Sequence, residues 1–441
     1  MGARLSRTTG RLSSENGKRY LIIKQYIRDF ERLGFGLFVH YGLYSVLGKG
    51  EWAEELLSIP REQYEREMTA QFSPQPDWAQ QLAQAAKNAG CRYITLTVRH
   101  HDGFSLYDAG NLTDFDAPHV CGRDLAQEFV DACRDAGLVP FFYHTLLDWH
   151  EPTYRADFPA YLRYLRQSVE RLCTRYGKIG GIWFDGMWER PNDDWEEDAL
   201  YGMIRTHQPE AMIINNTGMQ AMGVLGHIEL DSVTFERGKP LPINQADAPK
   251  YIASEMCQVL ADHWGYAADD LNYKAPADAI RDLAVCRRYG SNLLLNVGPV
   301  GDGSLRSMDA AVLELLGRWT ALNREAIYMP HPTGIAVEGQ QDDFLLRERD
   351  TYYLFCDHLP MVADPNVAKY AETEYAVSFP LECTITAAEW VDTGEPVTFT
   401  QQEGKVTVTT VPFTYGRNTV VRVVRLHTQS AENDERKGVW V

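Results

Sequence analysis

Short apolar runs alternate with amphipathic helical stretches from about residue 20 to 330, and this alternation restricts the fold more than any other feature of the chain. Apolar residues spaced three and four apart predict helices over 77–89, 125–136, 161–176, 194–206, 276–288 and 310–323. Nearly continuous apolar runs between them predict strands over 36–40, 93–98, 139–144, 180–185, 212–215, 232–236 and 292–297. Strands of this kind are parallel and buried on both faces, as in a β/α barrel. These are seven strands, and we expect an irregular eighth near 257–266.

The pattern changes at Tyr-Met-Pro-His-Pro, residues 328–332, where two prolines end any helix. Short, often alternating strands follow over 344–347, 352–357, 376–379, 387–391, 406–410 and 419–426, which is typical of a small β-sandwich. We therefore predict a distorted (β/α)8 barrel over 20–330 and a β-sandwich over 333–428. Residues 1–19 are expected to be a flexible lead, and 429–441 a polar, loose tail.

The charge balance excludes several classes of partner. The 441 residues include 43 basic and 61 acidic side chains, for a net charge of −18, and no basic stripe is visible. Such a surface repels nucleic acid and anionic membranes, so a neutral or cationic small substrate fits better. A homo-oligomer is compatible with the sequence.

The eight cysteines include no Cys-x-x-Cys pair, which argues against zinc and redox motifs and favours a reducing compartment. The polar, basic start lacks the apolar segment of a signal peptide, and no apolar run reaches the length of a membrane span. We expect a cytoplasmic protein with no metal and no cofactor.

The most informative stretch is Gly-Ile-Trp-Phe-Asp-Gly-Met-Trp at 181–188. Asp185 ends a buried strand there, and active sites of β/α barrels lie at the carboxyl ends of the strands. A carboxylate between aromatic rings suits sugar chemistry, because it can attack an anomeric carbon while the rings stack on apolar sugar faces. The alternative is an Asp that only caps the following loop.

Glu236 ends another strand, so its carboxyl can converge with that of Asp185 on the barrel axis. Retaining glycosidases need two carboxyls about 5–5.5 Å apart, whereas inverting enzymes hold them wider. An ion pair with Arg237 or Lys239 is the alternative role for Glu236.

Other polar and aromatic side chains lie at or just after the strand ends, and could bind sugar hydroxyls or apolar sugar faces: His40, Glu51, Trp52, His100, His101, Tyr143, Trp183 and Trp264. Adjacent side chains on a strand point to opposite faces, so the His100–His101 pair is poorly spaced for chelating a metal. A structural polar network and a metal site nevertheless remain alternatives to sugar contact. The Asn-Val-Gly-Pro segment at 296–299 is assigned a structural turn.

Taken in order, these motifs resemble the α-L-fucosidases of glycoside hydrolase family 29. The resemblance covers about 32–305 and rests on Gly-Leu-Phe-Val-His-Tyr-Gly with a following Glu-Trp, His-His-Asp-Gly-Phe, Trp-Phe-Asp-Gly, Trp-Gly-Tyr and Asn-Val-Gly-Pro. It implies a distorted barrel followed by a β-sandwich, and metal-free hydrolysis of terminal α-L-fucosides with retention.

The resemblance also implies roles for single residues. It makes Asp185 the nucleophile, and Trp264 the aromatic that packs on the fucose methyl group. The acid/base varies in position across the family; Glu236 is our first choice, and Glu255, expected on a helix or an irregular strand, is the second. Many members carry an Arg near the end of the fifth strand, where this chain has Asn-Asn-Thr at 215–217.

We therefore expect a retaining exo-α-L-fucosidase acting on small fucosylated oligosaccharides or glycosides. Three alternatives stay open: another retaining glycosidase using the same carboxyls, a metal-dependent hydrolase, and a carbohydrate-binding protein without turnover.

Overall fold

Eight parallel strands form a closed barrel in the computed structural model, which describes residues 20–245, 248–340, 342–362, 374–429 and 438–440. In chain order the barrel strands are Phe35–Val39, Tyr93–Arg99, Val139–Thr145, Gly181–Asp185, Met212–Asn215, Ser232–Glu236, Ala253–Val259 and Asn292–Val297. The first strand pairs with the eighth, which closes the ring. The predicted barrel is confirmed.

The expected irregular strand near 257–266 is wrong. The seventh barrel strand is Ala253–Val259, a regular strand with every residue buried. The strand was not predicted because it contains polar residues, which are unusual in a buried strand: Ser254, Glu255 and Gln258. The Glu255 carboxyl accepts hydrogen bonds inside the barrel from Tyr93 and Trp183, which is how it can be buried there.

Helices surround the barrel and pack their apolar faces on it. They are Gln25–Leu33, Leu43–Leu47, Ala53–Leu56, Arg61–Thr69, Trp78–Ala89, Ala117–Cys121, Leu125–Ala136, Thr153–Ala156, Phe158–Arg175, Glu197–His207, Pro276–Arg288, Ser307–Leu322 and Arg324–Ile327, with a 3₁₀ turn at Met187–Glu189. Leu125–Ala136 shows the local causes: the Asp124 side chain accepts from the Gln127 amide at its start, and Gly137 adopts a left-handed conformation at its end. Among the described residues, no helix is long and apolar enough to cross a membrane.

The barrel is least regular around its fifth and sixth strands. These two strands are joined by a single residue pair, Ile214 and Ser232. Within the described parts of 216–231 and 237–252, the chain contains no helix. The loops at the carboxyl ends of these two strands are therefore held by turns and side-chain contacts instead of by a packed helix.

Two antiparallel sheets follow the barrel, as predicted. One contains, in spatial order, His331–Pro332, Phe344–Glu348, Thr351–Cys356, Arg422–Thr428 and Ile385–Trp390; the other contains Tyr375–Pro380, Lys405–Thr410 and Thr398–Gln402. Leu354, Val377, Val406 and Val424 are among the residues of their shared core. The sequence analysis missed Thr398–Gln402, an edge strand that alternates between exposed and half-buried residues and has little apolar signal.

The second domain is fastened to the barrel by specific contacts. Trp319, on the helix Ser307–Leu322, donates from Nε1 to the Val421 carbonyl at 2.8 Å. Arg281 donates to the Asp357 carboxylate at 2.9 Å. These contacts lie far along the chain from Asp185 and Glu236.

The tail expected to be loose contains a short strand, Gly438–Trp440, which pairs with Tyr20–Ile22. The rest of the expected tail beyond residue 429 lies outside the described residues. The predicted flexible lead, residues 1–19, lies outside the described residues.

Candidate active site

The carboxyl ends of the barrel strands bring together most of the polar side chains singled out in the sequence. His40 follows the first strand, His100 and His101 follow the second, Tyr143 lies on the third, Asp185 ends the fourth and Glu236 ends the sixth. The site is centred on the two carboxyls.

Asp185 is held by side chains from both neighbouring strands. Its Oδ2 accepts a hydrogen bond from the Tyr143 hydroxyl at 2.9 Å, and its Oδ1 accepts one from Asn216 Nδ2 at 3.1 Å. Nε2 of His101 lies 3.8 Å from Oδ2. The residue is only 9% exposed, so the two hydrogen bonds from Tyr143 and Asn216 fix the carboxylate in one orientation.

Asn216 joins the two carboxyls. The same Nδ2 that reaches Asp185 also donates to Glu236 Oε2 at 2.8 Å. Because both oxygens lie against one nitrogen, they are at most about 6 Å apart, the sum of the two hydrogen-bond lengths. Sequence reasoning did not select Asn216 as a site residue; its place just after the fifth strand was the available signal.

The orientation of the Asn216 amide is fixed by two donors on its other side. Its Oδ1 accepts from the Thr234 hydroxyl at 3.0 Å and from the Gly218 backbone amide at 3.2 Å. With the oxygen occupied in this way, the NH2 group must face the carboxyls.

Burial and the nearby Glu236 carboxylate raise the pKa of Asp185 well above its usual range, and the hydrogen bonds from Tyr143 and Asn216 oppose that rise. Of the two carboxyls, Asp185 has the less polar setting, since Glu236 is only half-buried. Asp185 is therefore a carboxyl whose charge the fold leaves poorly solvated.

The histidines are neutral hydrogen-bonding groups. Burial lowers the pKa of both His40 and His101 to about 3. Nδ1 of His40 lies 2.6 Å from Asn296 Oδ1, and Nδ1 of His101 lies 2.7 Å from the Thr145 hydroxyl. Because Asn296 Oδ1 can only accept, and the Thr145 hydroxyl donates to the Leu147 carbonyl at 2.6 Å, both Nδ1 atoms carry the proton. Each ring therefore offers its Nε2 as an acceptor.

His100 lies between these two rings. Its ring centroid is 5.5 Å from that of His40 and 4.2 Å from that of His101. Burial lowers its pKa well below the usual range, and its Nδ1 has no hydrogen-bond partner among the described residues. A buried imidazole nitrogen of this kind is a candidate to bind a sugar hydroxyl.

Trp183 lies deeper in the barrel than the sequence analysis expected. It is 2% exposed, stacks on Tyr143 with ring centroids 5.6 Å apart, and donates from Nε1 to Glu255 Oε1 at 3.0 Å. Glu255, the second choice for the acid/base, is itself 1% exposed, and burial raises its pKa to about 7. These two residues form a layer beneath Tyr143.

Trp264 and Glu51 line the opposite side of the histidines. The Trp264 ring lies 5.2 Å from that of His40 and is covered by the Arg237 guanidinium, also at 5.2 Å. The Glu51 carboxylate is buried and accepts from the Gly265 amide at 2.8 Å, while burial raises its pKa. Arg237 follows Glu236 with a left-handed backbone, φ 53°, a strained conformation of the kind found at functional sites.

Trp52 contacts the His101 ring at 5.2 Å and the Trp149 ring at 5.1 Å. Trp149 also borders a cavity of about 510 Å³ formed by the segments 54–61 and 149–155. Its lining includes neither carboxyl of the pair and none of the three histidines, so this cavity lies beside the site and is not part of it.

The metal alternative finds little support in the donor geometry. Among the described residues, the group with ligand atoms close enough to share an ion is Asp342, Asp357 and His358, in the second domain. At the barrel mouth, His40 and His101 each direct one nitrogen to a protein partner. The residues around Asp185 do not form a group of that kind.

A family model described as alpha-L-fucosidase matches residues 18–325. The chain belongs to the α-L-fucosidase family. Within that family, the tissue alpha-L-fucosidase of Rattus norvegicus is 28% identical over 347 residues, which are 70% of this chain and 71% of the rat protein. The chain is thus a glycoside hydrolase, and its motifs are those of family 29.

Solved structures of other fucosidases share the architecture. Alpha-L-fucosidase isoenzyme 1 from Paenibacillus thiaminolyticus superposes with a TM-score of 0.76 at 27% identity, covering 92% of this chain and 99% of that one. A family 29 fucosidase from Bacteroides thetaiotaomicron, solved as a trapped covalent intermediate, superposes with a TM-score of 0.77 at 23% identity, covering 95% and 98%. At the latter identity the likeness concerns the fold alone.

Proposed function

We propose that this chain is a retaining exo-α-L-fucosidase in which Asp185 is the nucleophile and Glu236 the acid/base. The observation that carries the proposal is the pair of hydrogen bonds from Asn216 Nδ2 to the two carboxyls. The upper limit of about 6 Å that these bonds set on the separation lies below the roughly 6.5–9.5 Å that inverting enzymes need for a water between carboxyl and sugar, and it supports direct attack by one carboxylate.

In the first step, the Asp185 carboxylate attacks the anomeric carbon of the fucoside. The glycosidic bond breaks, and the leaving oxygen takes the proton of the Glu236 carboxyl. The product is a fucosyl ester of Asp185, with its second oxygen still able to accept from Tyr143 or Asn216.

In the second step, ionised Glu236 takes a proton from a water molecule as that water attacks the anomeric carbon. The ester bond to Asp185 breaks, and the carboxylate leaves. Two inversions give fucose with the configuration of the substrate.

The remaining site residues would bind the fucosyl ring. His40, His100, His101 and Glu51 offer buried hydrogen-bonding groups to its hydroxyls, Trp52 supports His101, and Trp264 offers an apolar surface to its methyl group. Trp183, which is covered by Tyr143, would act from beneath by supporting the ring that holds Asp185. No metal or cofactor takes part in the proposed reaction, and we propose small fucosylated oligosaccharides in the cytoplasm as substrates.

The test is release of p-nitrophenol from the aryl α-L-fucoside, with an Asp185→Ala variant beside the wild type and a panel of other aryl glycosides. We expect hydrolysis of the α-L-fucoside alone, a loss of several orders of magnitude in the variant, and α-fucose as the first product by NMR. The first product being β-fucose would contradict retention. Wild-type turnover by the variant would contradict the role of Asp185, and a preference for another glycoside would contradict the substrate.

A further inference from the structure

Trp188 presents its indole at the rim of the site. It follows Asp185 by three residues, within the 3₁₀ turn Met187–Glu189, and it is 40% exposed. Its ring meets that of His101 edge to face, with centroids 6.1 Å apart. A large aromatic side chain left in solvent beside two carboxyls has no role in the core and is available to a ligand.

The turn that orients Asn216 also lies against Trp188. Gly218 donates its amide to Asn216 Oδ1, and a Cβ at Gly218 would lie 3.9 Å from Cε3 of Trp188. The turn at Gly218 therefore contacts both the Trp188 indole and the Asn216 side chain that joins the two carboxyls. Movement of this turn would displace both.

Two more apolar side chains continue the exposed surface along the loop after the fifth strand. Met219 is 60% exposed and Met222 40% exposed. Met222 packs against Gly238, two residues beyond Glu236. Loops after the fourth and fifth strands thus carry exposed apolar side chains near the two carboxyls, and the second of these loops touches the chain just beyond Glu236. We call Trp188, Met219 and Met222 the rim surface.

The position of the acid indicates which part of the substrate lies near the rim surface. An acid that protonates the leaving oxygen must lie beside the leaving group, and Glu236 is the proposed acid. The ring-binding side chains follow the first, second and seventh strands; they are His40, Glu51, His100, His101 and Trp264. Trp188 meets the edge of this group at His101, and Met222 reaches Gly238 just beyond Glu236, so the rim surface is available to the part of the substrate beyond the scissile bond.

We propose that the rim surface is the leaving-group subsite and that it binds a neutral pyranose through its apolar face, with Trp188 as the platform. This inference rests on the proposed fucosidase function. Stacking suits a pyranose because its C–H groups form an apolar face for the indole. The net charge of −18 and the apolar side chains of the rim surface make an anionic leaving group a poor fit.

The test compares two kinds of substrate in a Trp188→Ala variant. α-L-Fucosyl fluoride has a one-atom leaving group that cannot reach the rim surface, whereas fucosylated disaccharides of the four common linkages can. We expect kcat/KM for the best disaccharide to fall about tenfold, the size of a lost stacking contact, and that for the fluoride to change less than about twofold. Trp188→Phe should keep most of the disaccharide activity. Met308→Ala, which removes an apolar side chain that is 49% exposed on an outer helix, should change neither value.

The outcomes separate the two proposals. If the wild type hydrolyses neither substrate, the fucosidase proposal fails. The subsite proposal fails, while the fucosidase proposal stands, if the wild type hydrolyses the fluoride and Trp188→Ala lowers kcat/KM equally for both substrates or for neither. It also fails if the wild type hydrolyses the fluoride and cleaves no disaccharide. A change of sedimentation coefficient in Trp188→Ala would show that a second copy of the chain covers the rim surface, and would also overturn the subsite.

Discussion

Asn216 and Glu236 are joined by a hydrogen bond of 2.8 Å from Nδ2 to Oε2. Because the amide nitrogen can only donate, Oε2 must accept. When Glu236 is protonated, its proton therefore resides on Oε1, the oxygen that Asn216 does not hold. The Asn216 amide thus both holds the Glu236 carboxyl in place and determines that its proton is on Oε1.

Replacing Asn216 by Ala should lower kcat by roughly 100-fold, the usual effect of removing one preorganised donor from a reaction centre. Asn215→Ala is the matched control, because the neighbouring side chain is buried and donates to Tyr201 at 3.2 Å, away from both carboxyls. We expect that control to lose stability in urea unfolding and to keep its kcat. Equal kcat losses in the two variants would show that Asn216 acts only through the fold.

Glu236→Gln and Glu255→Gln should differ in their dependence on the leaving group. Loss of a general acid costs about 100- to 10,000-fold for a poor leaving group and little for fluoride, which needs no proton. We therefore expect Glu236→Gln to lose most of its disaccharide hydrolysis while it still forms the fucosyl-enzyme from fucosyl fluoride. The Glu255 carboxyl accepts hydrogen bonds from Trp183 and Tyr93, so Glu255→Gln should change the hydrolysis rates of both substrates by the same factor. The reverse pattern in the two variants would make Glu255 the acid.

Asp185→Asn should stabilise the protein while it abolishes turnover. Burial raises the pKa of Asp185 in the folded state, so the folded state binds its proton more tightly than the unfolded state does. The free energy of unfolding then falls as pH rises between the unfolded and folded pKa values, and the loss is complete above the folded pKa. At pH 8 the variant should be more stable than the wild type, measured by urea unfolding, and the difference should shrink as the pH falls toward 3. A variant less stable at pH 8 would contradict the raised pKa.

The acid limb of kcat/KM should report the ionisation of Asp185, since only the carboxylate attacks. The Tyr143 hydrogen bond lowers the pKa of Asp185, so Tyr143→Phe should raise that pKa and move the limb to higher pH. Tyr201→Phe, which removes a buried hydroxyl away from the carboxyls, should leave the limb in place. A shift of the Tyr143→Phe limb to lower pH would contradict this assignment.

Much of the barrel could be predicted because its strands are apolar on both faces and carry their polar residue at the end. Asp185 and Glu236 follow this rule, so the sequence places both at the barrel mouth. The strand Ala253–Val259 does not follow this rule, because Glu255 lies in its middle and points inward to Tyr93 and Trp183, which are distant in the chain. A sequence pattern reports the neighbours of a residue along the chain, and the partners that permit such a buried carboxyl come from other strands.

Asn216 escaped prediction for a related reason. Its role depends on one nitrogen lying within reach of two carboxyls that are 31 and 20 residues away, and no local pattern encodes that geometry. The depth of Trp183 could not be predicted either. Side chains two apart on a strand share a face, so Trp183 points inward as Asp185 does, but its burial beneath Tyr143 depends on a neighbouring strand.

The single residue pair between the fifth and sixth barrel strands has a consequence for how such an enzyme can diversify. Changes in the loop between these two strands disturb no packed helix among the described residues and only one residue pair of the sheet. We therefore expect this loop to accept substitutions and insertions more readily than the segments that follow the first, second and seventh strands. A library randomised at 219–224 should contain folded enzymes far more often than one randomised at 100–104.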